Sequence, residues 1–123
     1  ESDHNYDSGL IDVRPEPWQV IGPTQRGPQR YHTGGEIAVW QSSDRGKTWN
    51  MVRELTTNSP LNHGYVRPVL NASDEFYALW SDGDSSSPSP CRLYFCDRSA
   101  EHVWRMPEHM EGETAAPQPM ELP

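Results

Sequence analysis

Proline and glycine are spread along this chain so evenly that they interrupt nearly every stretch longer than ten residues. The 123 residues include 12 prolines and 9 glycines, and no window of useful length shows apolar residues at helical spacing. The apolar runs between the interruptions are short and rich in Val, Ile, Tyr, Trp and Phe. Such runs, bounded by Gly, Pro, Asn, Asp and Ser, are typical of strands joined by turns. The sequence therefore predicts an all-β fold.

Eight short strands are predicted. They are Tyr6 to Val13, Trp18 to Gly22, Glu36 to Ser42, Thr48 to Leu55, Tyr65 to Leu70, Glu75 to Ser81, Arg92 to Asp97 and Val103 to Met106. Two connections, residues 24–34 and 82–90, are long, polar and rich in Pro, Gly and Ser. We expect these two connections to be surface loops, where binding groups often lie.

The second half of the chain repeats the pattern of the first half about 55 to 60 residues later. Trp18 to Ile21 corresponds to Phe76 to Leu79, and Thr48-Trp49 corresponds to Val103-Trp104. Four antiparallel strands in roughly 40 to 60 residues, with a Trp near the end, are typical of a β-propeller blade. Residues 1–57 and 58–106 are therefore interpreted as two blades.

Two blades leave blade faces uncovered, because known propellers close with about four or more. The chain is accordingly expected to be a propeller fragment whose partners are the remaining blades of a parent chain or further copies of itself. A stand-alone β-sandwich of eight strands is the alternative that the composition leaves open.

The charge of the chain argues against two classes of partner. Lys and Arg number 10 against 18 Asp and Glu, a formal net charge of -8, whereas nucleic acid favours a basic surface. No apolar run approaches the roughly 18 residues of a membrane span. Residues 107–123 contain four glutamates and four prolines but no Lys, Arg or aromatic residue, and this tail is predicted to be mostly disordered.

The two cysteines indicate neither a disulfide nor a metal site. Cys91 and Cys96 are separated by an odd number of positions in a predicted strand, which sends their side chains to opposite faces and disfavours a disulfide. No Cys or His pair has the close spacing of a structural zinc site. No metal and no cofactor is predicted.

The strongest motif is the segment from Ser42 to Trp49. It fits the pattern Ser-x-Asp-x-Gly-x-Thr-Trp at all five fixed positions, which are Ser42, Asp44, Gly46, Thr48 and Trp49. An Asp at this place accepts hydrogen bonds from its own turn, the Gly permits a positive φ, and the Trp anchors the next strand. The motif predicts a structural hairpin turn. The corresponding segment of the second unit, Asp97 to Trp104, keeps the Asp and the Trp but lacks the Gly and the Thr.

This motif resembles the Asp-box of the BNR-repeat, or sialidase-like, propeller superfamily. The segments Gly34 to Trp40, Asn62 to Pro68 and Arg92 to Arg98 are similar to the last blades of BNR-repeat proteins, among them sialidases and ulvan-type polysaccharide lyases. The resemblance covers nearly the whole chain up to Met110. It implies a propeller with the Asp-box away from the active site, an extracellular or periplasmic setting, and carbohydrate as the usual ligand.

A polar row is predicted on the first strand of the second unit. His63, Tyr65 and Arg67 are two residues apart, so a regular strand projects all three from one face at steps of about 7 Å. Arg pairs with a sugar carboxylate, while His and Tyr are proton-transfer groups, so these three are the candidate catalytic residues. The matching row of the first unit is His4 and Tyr6, which are candidate substrate-binding residues. The alternative is that His63 and Tyr65 pack between blades and Arg67 pairs with a carboxylate such as Asp74.

Two kinds of function follow from the resemblance and the row. One is the hydrolysis or β-elimination of an anionic polysaccharide or sialoglycan, which requires further groups from other blades, so this chain alone is expected to be inactive. The other is a propeller that binds glycans without catalysis.

Overall fold

The computed structural model describes residues 9–14 and 16–123, and every element in this part of the chain is a strand or a connection. The strands are β1 Leu10–Asp12, β2 Trp18–Pro23, β3 Ile37–Ser42, β4 Asn50–Glu54, β5 Asn62–Pro68, β6 Ala78–Gly83, β7 Leu93–Cys96, β8 Val103–Arg105 and β9 Gln118–Met120. The prediction of an all-β chain is therefore confirmed. No described segment forms a helix that could cross a membrane.

The strands form two antiparallel sheets in which every strand lies beside the one before it. Strands β1 to β4 form sheet 1 and strands β5 to β9 form sheet 2. The boundary between the two predicted units, after residue 57, lies in the connection from β4 to β5. The second sheet differs from the prediction because it contains a fifth strand.

The fifth strand corrects the interpretation of residues 107–123 as a mostly disordered tail. Strand β9 lies within this segment and pairs with β8 through Val103 opposite Met120 and Arg105 opposite Gln118. Met120 and Leu122 also pack against the hydrophobic core. Two apolar side chains at the far end of the tail are thus enough to hold it against sheet 2.

The core lies between the two sheets. In sheet 1, Leu10, Ile21 and Val39 are aligned across three strands, and each is at most 2% exposed. In sheet 2 the matching row is Ala78, Cys96 and Val103, followed by Met120 on β9. Except where the β3–β4 and β5–β6 pairings shift register, alternate residues of each strand form this inner face and those between them form the outer faces.

The up-and-down order of the strands gives the sheets two distinct ends. One, which we call the turn end, carries the connections 13–17, 43–49, 69–77 and 97–102. The other, the loop end, carries the long connections 24–36, 55–61 and 84–92. At the loop end the backbones of Gly34 and His63 exchange hydrogen bonds of 3.2 and 2.8 Å. This pairing ties the loop 24–36 to β5 and explains why β5 begins at Asn62, three residues before the predicted start.

Candidate functional site

The Asp-box turn satisfies its polar groups with its own residues. Asp44 accepts hydrogen bonds from the Thr48 amide at 2.9 Å, the Thr48 hydroxyl at 2.6 Å and the Ser42 hydroxyl at 2.7 Å. These bonds, led by that of the Thr48 hydroxyl, lower the pKa of Asp44 to about 2. Gly46 has a φ of 85°, and its carbonyl accepts a hydrogen bond from the half-buried Trp49 indole at 3.2 Å. The turn lies between β3 and β4, as its sequence predicted.

The second unit keeps the central part of this turn. Asp97 accepts a hydrogen bond from the Glu101 amide four positions later at 2.9 Å, as Asp44 does from Thr48. In place of the Thr hydroxyl, the ring of His102 contacts Asp97 at 2.7 Å. Burial alone would raise the pKa of Asp97, but these hydrogen bonds outweigh it and lower the pKa. The carboxylate is therefore the part of the motif that closes the turn in both units.

The predicted polar row on β5 does not share one face. His63 pairs with Asp82 and Arg67 pairs with Leu79, so two β5 residues between Gly64 and Arg67 lie opposite the single residue Trp80. This extra residue is a β-bulge, which reverses the alternation beyond it. His63 accordingly lies on the inner face and Arg67 on the outer face. The expectation of a single face is wrong because it assumed a regular strand.

His63 is buried at the loop end, with 1% of its surface exposed. Its Nε2 lies 2.9 Å from the Ser59 hydroxyl, which donates a hydrogen bond to Glu36 at 2.7 Å. Since Ser59 gives its proton to Glu36, it accepts one from His63 Nε2. Nδ1 is then unprotonated, and it has no hydrogen-bond partner in the described structure. Burial lowers the pKa of His63, against the opposing charges of Asp82 and Glu36.

Glu36 joins two segments of the loop end, the connections 24–36 and 55–61. It accepts hydrogen bonds from the Thr56 hydroxyl at 2.5 Å and from the amide and hydroxyl of Ser59. Burial would raise the pKa of Glu36, but these hydrogen bonds together lower it, so the carboxylate is charged at neutral pH. Thr56 also accepts a hydrogen bond from the Ile37 amide at 3.0 Å, which joins β3 to the end of β4.

A second buried carboxylate lies beside His63. Asp82 accepts hydrogen bonds from the Tyr94 hydroxyl at 2.8 Å, the Arg92 amide at 2.7 Å and the Arg92 guanidinium at 3.3 Å. Burial and the contact with Asp82 raise the pKa of Tyr94 to about 12. The edge of the Tyr94 ring meets the ring of His63, with centroids 5.2 Å apart. Asp82, Arg92 and Tyr94 thus satisfy one another beside the His63 ring.

Tyr65 lies at the bulge in a conformation that side chains rarely adopt. Its φ is 59°, and its ring is 39% exposed although its neighbour Val66 is fully buried. The ring is flanked by Arg67, whose guanidinium carbon is 5.9 Å from the ring centroid, and by the ring of His32 at 5.3 Å. A bulky residue with a positive φ is a strained outlier, and such outliers occur at ligand sites. Of the predicted residues, the structure brings Tyr65 and Arg67 together.

The loop 24–36 that carries His32 is held by one asparagine. The fully buried side chain of Asn62 donates to the carbonyls of Gln29 at 2.9 Å and Tyr31 at 2.6 Å, and it accepts from the Gln29 amide at 3.0 Å. The Asn62 amide in turn donates to the Gln29 side chain at 2.6 Å. Asn62 thus fixes the part of the loop next to Tyr65, a role that its place in the sequence did not reveal.

A charged groove of about 390 Å³ separates the sheets at the turn end. On one side Asp12 accepts a hydrogen bond from the Tyr77 hydroxyl and pairs with Arg98 at 3.5 Å. On the other side Arg53 donates to the carbonyl of Ala100 at 3.3 Å. Burial and the bond to Asp12 raise the pKa of Tyr77. Because the basic and acidic groups pair across the groove, they join the two sheets.

The remaining predicted residues have simple outcomes. His4 and Tyr6 lie outside the described residues. Cys91 is exposed and lies before β7, and Cys96 is buried at the end of β7; both are free thiols. Arg67 does not pair with Asp74, which binds Arg98 at 2.8 Å instead. No group of three or more His, Cys, Asp and Glu in the described ranges is arranged to hold a metal ion.

Comparison of the chain with protein-family models, with curated proteins and with solved structures finds no match.

Proposed function

We propose that this chain forms two adjacent blades of a sialidase-like β-propeller and binds an anionic polysaccharide or sialoglycan outside the cell or in the periplasm. Two features support the propeller. Each sheet is a meander of consecutive strands, and the turn between the third and fourth strands of sheet 1 has the complete hydrogen bonding of an Asp-box. The resemblance of the sequence to the BNR-repeat superfamily supplies the setting and the ligand class.

The strained, exposed Tyr65 beside Arg67 is the observation that carries the binding proposal. The face of a Tyr ring packs on the C–H groups of a sugar ring, and an exposed guanidinium pairs with a carboxylate through two parallel hydrogen bonds. Both groups lie on β5, the edge strand of sheet 2. A sugar that carries a carboxylate, such as a uronate or a sialic acid, fits this pair better than a neutral sugar.

The burial of His63 favours recognition over catalysis. A catalytic acid or base must reach the proton that it transfers, whereas His63 is 1% exposed and its Nε2 already contacts Ser59. In our proposal Tyr65 and Arg67 contact the sugar, and His63 supports the surface from the inner face. The assignment of His63, Tyr65 and Arg67 as a catalytic set stays a prediction, with hydrolysis and β-elimination as its two forms.

Titration calorimetry of the chain with sialyllactose, an oligogalacturonate and a neutral maltooligosaccharide tests this proposal. We expect binding of at least one anionic sugar and none of the neutral one. Tyr65→Ala and Arg67→Ala should each weaken binding about tenfold or more, the scale of one lost stacking or charge-assisted contact. Arg67→Lys keeps the charge but loses the planar fork, so its loss should be intermediate.

Two variants serve as matched controls. Phe76 is 39% exposed, as Tyr65 is, but lies at the turn end, and Arg45 is an exposed arginine of the Asp-box turn. Phe76→Ala and Arg45→Ala should bind the sugar as the wild type does. Failure of every anionic sugar to bind, or unchanged binding by Tyr65→Ala, would refute the proposed site. New reducing ends during incubation would instead make the chain an enzyme.

A further inference from the structure

The outer face of sheet 1 carries an apolar row that is half-buried in its middle and exposed at both ends. The register places one apolar residue of each strand in this row, with the two end residues 63% and 47% exposed; its members are Ile11, Val20, Trp40 and Met51. The inner face of the same sheet carries a similar aligned row, and that row packs against sheet 2. The outer row is therefore suited to pack against another sheet.

The outer face of sheet 2 carries a second apolar row. It consists of Leu79, Phe95, Trp104 and Pro119, again one residue from each of four neighbouring strands. The Phe95 and Trp104 rings are stacked 5.2 Å apart, and Phe76 meets Phe95 edge-on at 4.9 Å. The two outer faces are therefore similar in width and character.

The contact between the two sheets of one chain provides a template for how such faces join. Arg98 follows Asp97, the carboxylate that closes the turn of the second unit. Its guanidinium lies over the ring of Tyr77, a residue next to β6 of sheet 2, at 4.6 Å, and reaches sheet 1 by pairing with Asp12 at 3.5 Å. One arginine in the β7–β8 turn thus fastens the turn end of sheet 2 to an acidic residue of sheet 1.

Arg45 holds the same place in the Asp-box turn. It follows Asp44 as Arg98 follows Asp97, but its side chain is 77% exposed and makes only a surface contact with Glu16 at 3.4 Å. Lys47, two positions later, is also exposed. The Asp-box turn therefore exposes two cations, Arg45 and Lys47, to solvent. In the β7–β8 turn, Arg98 reaches the neighbouring sheet from the position that corresponds to Arg45.

A hollow of opposite charge lies at the turn end of sheet 2, on the outer face. Its volume is about 580 Å³, and it is lined by Asp74, Glu75, Asp97, Arg98, Ser99, His102 and Trp104, so three carboxylates stand against one guanidinium, which pairs with Asp74. Asp74 and Glu75 are exposed, and the Trp104 ring is half-buried. The hollow combines an acidic rim with an aromatic floor, which suits a guanidinium or ammonium group.

We propose that a second copy of this chain docks on the outer face of sheet 2 through the outer face of its own sheet 1. Arg45 and Lys47 of the incoming copy enter the hollow beside Asp74 and Glu75, and the two apolar rows pack against each other. The contact is heterologous, so it repeats from copy to copy and closes into a ring when the rotation allows. About four to eight sheets close a propeller, which corresponds to two to four copies of 14.0 kDa. This inference is independent of the proposed sugar site.

Sedimentation equilibrium of the full chain over a range of concentrations is the test. We expect a mass above that of one copy, which decreases at high salt because the rim contacts are charged. Arg45→Glu and Glu75→Lys should each shift the association toward the monomer by about tenfold or more, since each places like charges across the contact. Both residues are exposed, and near-ultraviolet circular dichroism checks that the variants remain folded.

Charge exchange separates this contact from a general loss of stability. The double variant R45E/E75K, and an equimolar mixture of the two single variants, should both associate again because each restores opposite charges. Arg26→Glu, a charge reversal on the loop 24–36, should associate as the wild type does. A wild type that is monomeric at all concentrations, or single variants that associate as the wild type does, would overturn the proposal.

Discussion

Hydrogen bonds within the Asp-box turn join residues two to four positions apart, whereas those of Glu36 and Asn62 at the loop end join residues 20 to 33 positions apart. The turn needs only its own eight residues, and its central carboxylate is stabilised in charged form by Thr48 and Ser42. The loop end needs two distant segments at once, residues 29–36 and 56–62, which Glu36 and Asn62 bring together. The turn can be recognised as a sequence motif because its hydrogen-bond partners are close in sequence. The loop end forms only when the whole fold brings its distant partners together.

The largest expected effect comes from breaking the loop end at its most connected residue. Asn62→Ala removes three side-chain hydrogen bonds and leaves their partners on Gln29 and Tyr31 unsatisfied, which should lower the free energy of unfolding by about 3 kcal/mol. Urea unfolding measures this loss, and tryptic cleavage at Arg26 or Arg30 should become faster as the loop is released. Asn50→Ala, at an exposed asparagine that begins β4, should stay within about 0.5 kcal/mol of the wild type. Equal effects of the two substitutions would contradict the role given to Asn62.

A smaller effect is expected from breaking the Asp-box turn. Gly46 has a φ of 85°, and an added Cβ would lie 3.1 Å from the Trp18 ring. Gly46→Val should therefore lower the free energy of unfolding by about 2 kcal/mol, the scale of strain at such a backbone position. The neighbouring Lys47→Val should change it by no more than about 0.5 kcal/mol in the same urea experiment. Because the turn is local and lies at the opposite end from the loops, tryptic cleavage of the loop 24–36 should not become faster.

The smallest effect concerns pH. The pKa of His63 is lowered from 6.5 in the folded chain, so the unfolded chain binds a proton more readily. The stability of the fold should therefore be complete above about pH 6.5 and decline as the pH falls below it. His63→Gln should remove this decline in unfolding curves recorded between pH 7 and pH 5. A decline of unchanged size in the variant would assign the effect to another group.

The difference between the two regions also explains what the sequence revealed. Asp44, Gly46 and Thr48 could be assigned to a structural turn because their partners lie inside the motif itself. The sequence alone could not show whether His63, Tyr65 and Arg67 share a face. The answer depends on the extra β5 residue opposite Trp80, which only the pairing of β5 with β6 defines. Glu36 and Ser59 carried no signal, since their partners come from distant segments. Of the predicted residues, Tyr65 and Arg67 therefore remain in the candidate site, and the structure adds His32 and Asn62 to it.

Strand β9 has a consequence for how sheet 2 meets other polypeptides. It is the outermost strand, only three residues long, and its middle residue is Pro119, which has no amide proton to donate. An incoming strand would find few backbone groups to pair with at this margin, so the segment acts as a cap against uncontrolled lateral growth of the sheet. Evolution would then retain residues 118–120 because they keep the protein soluble. That role does not require these residues to contact a ligand.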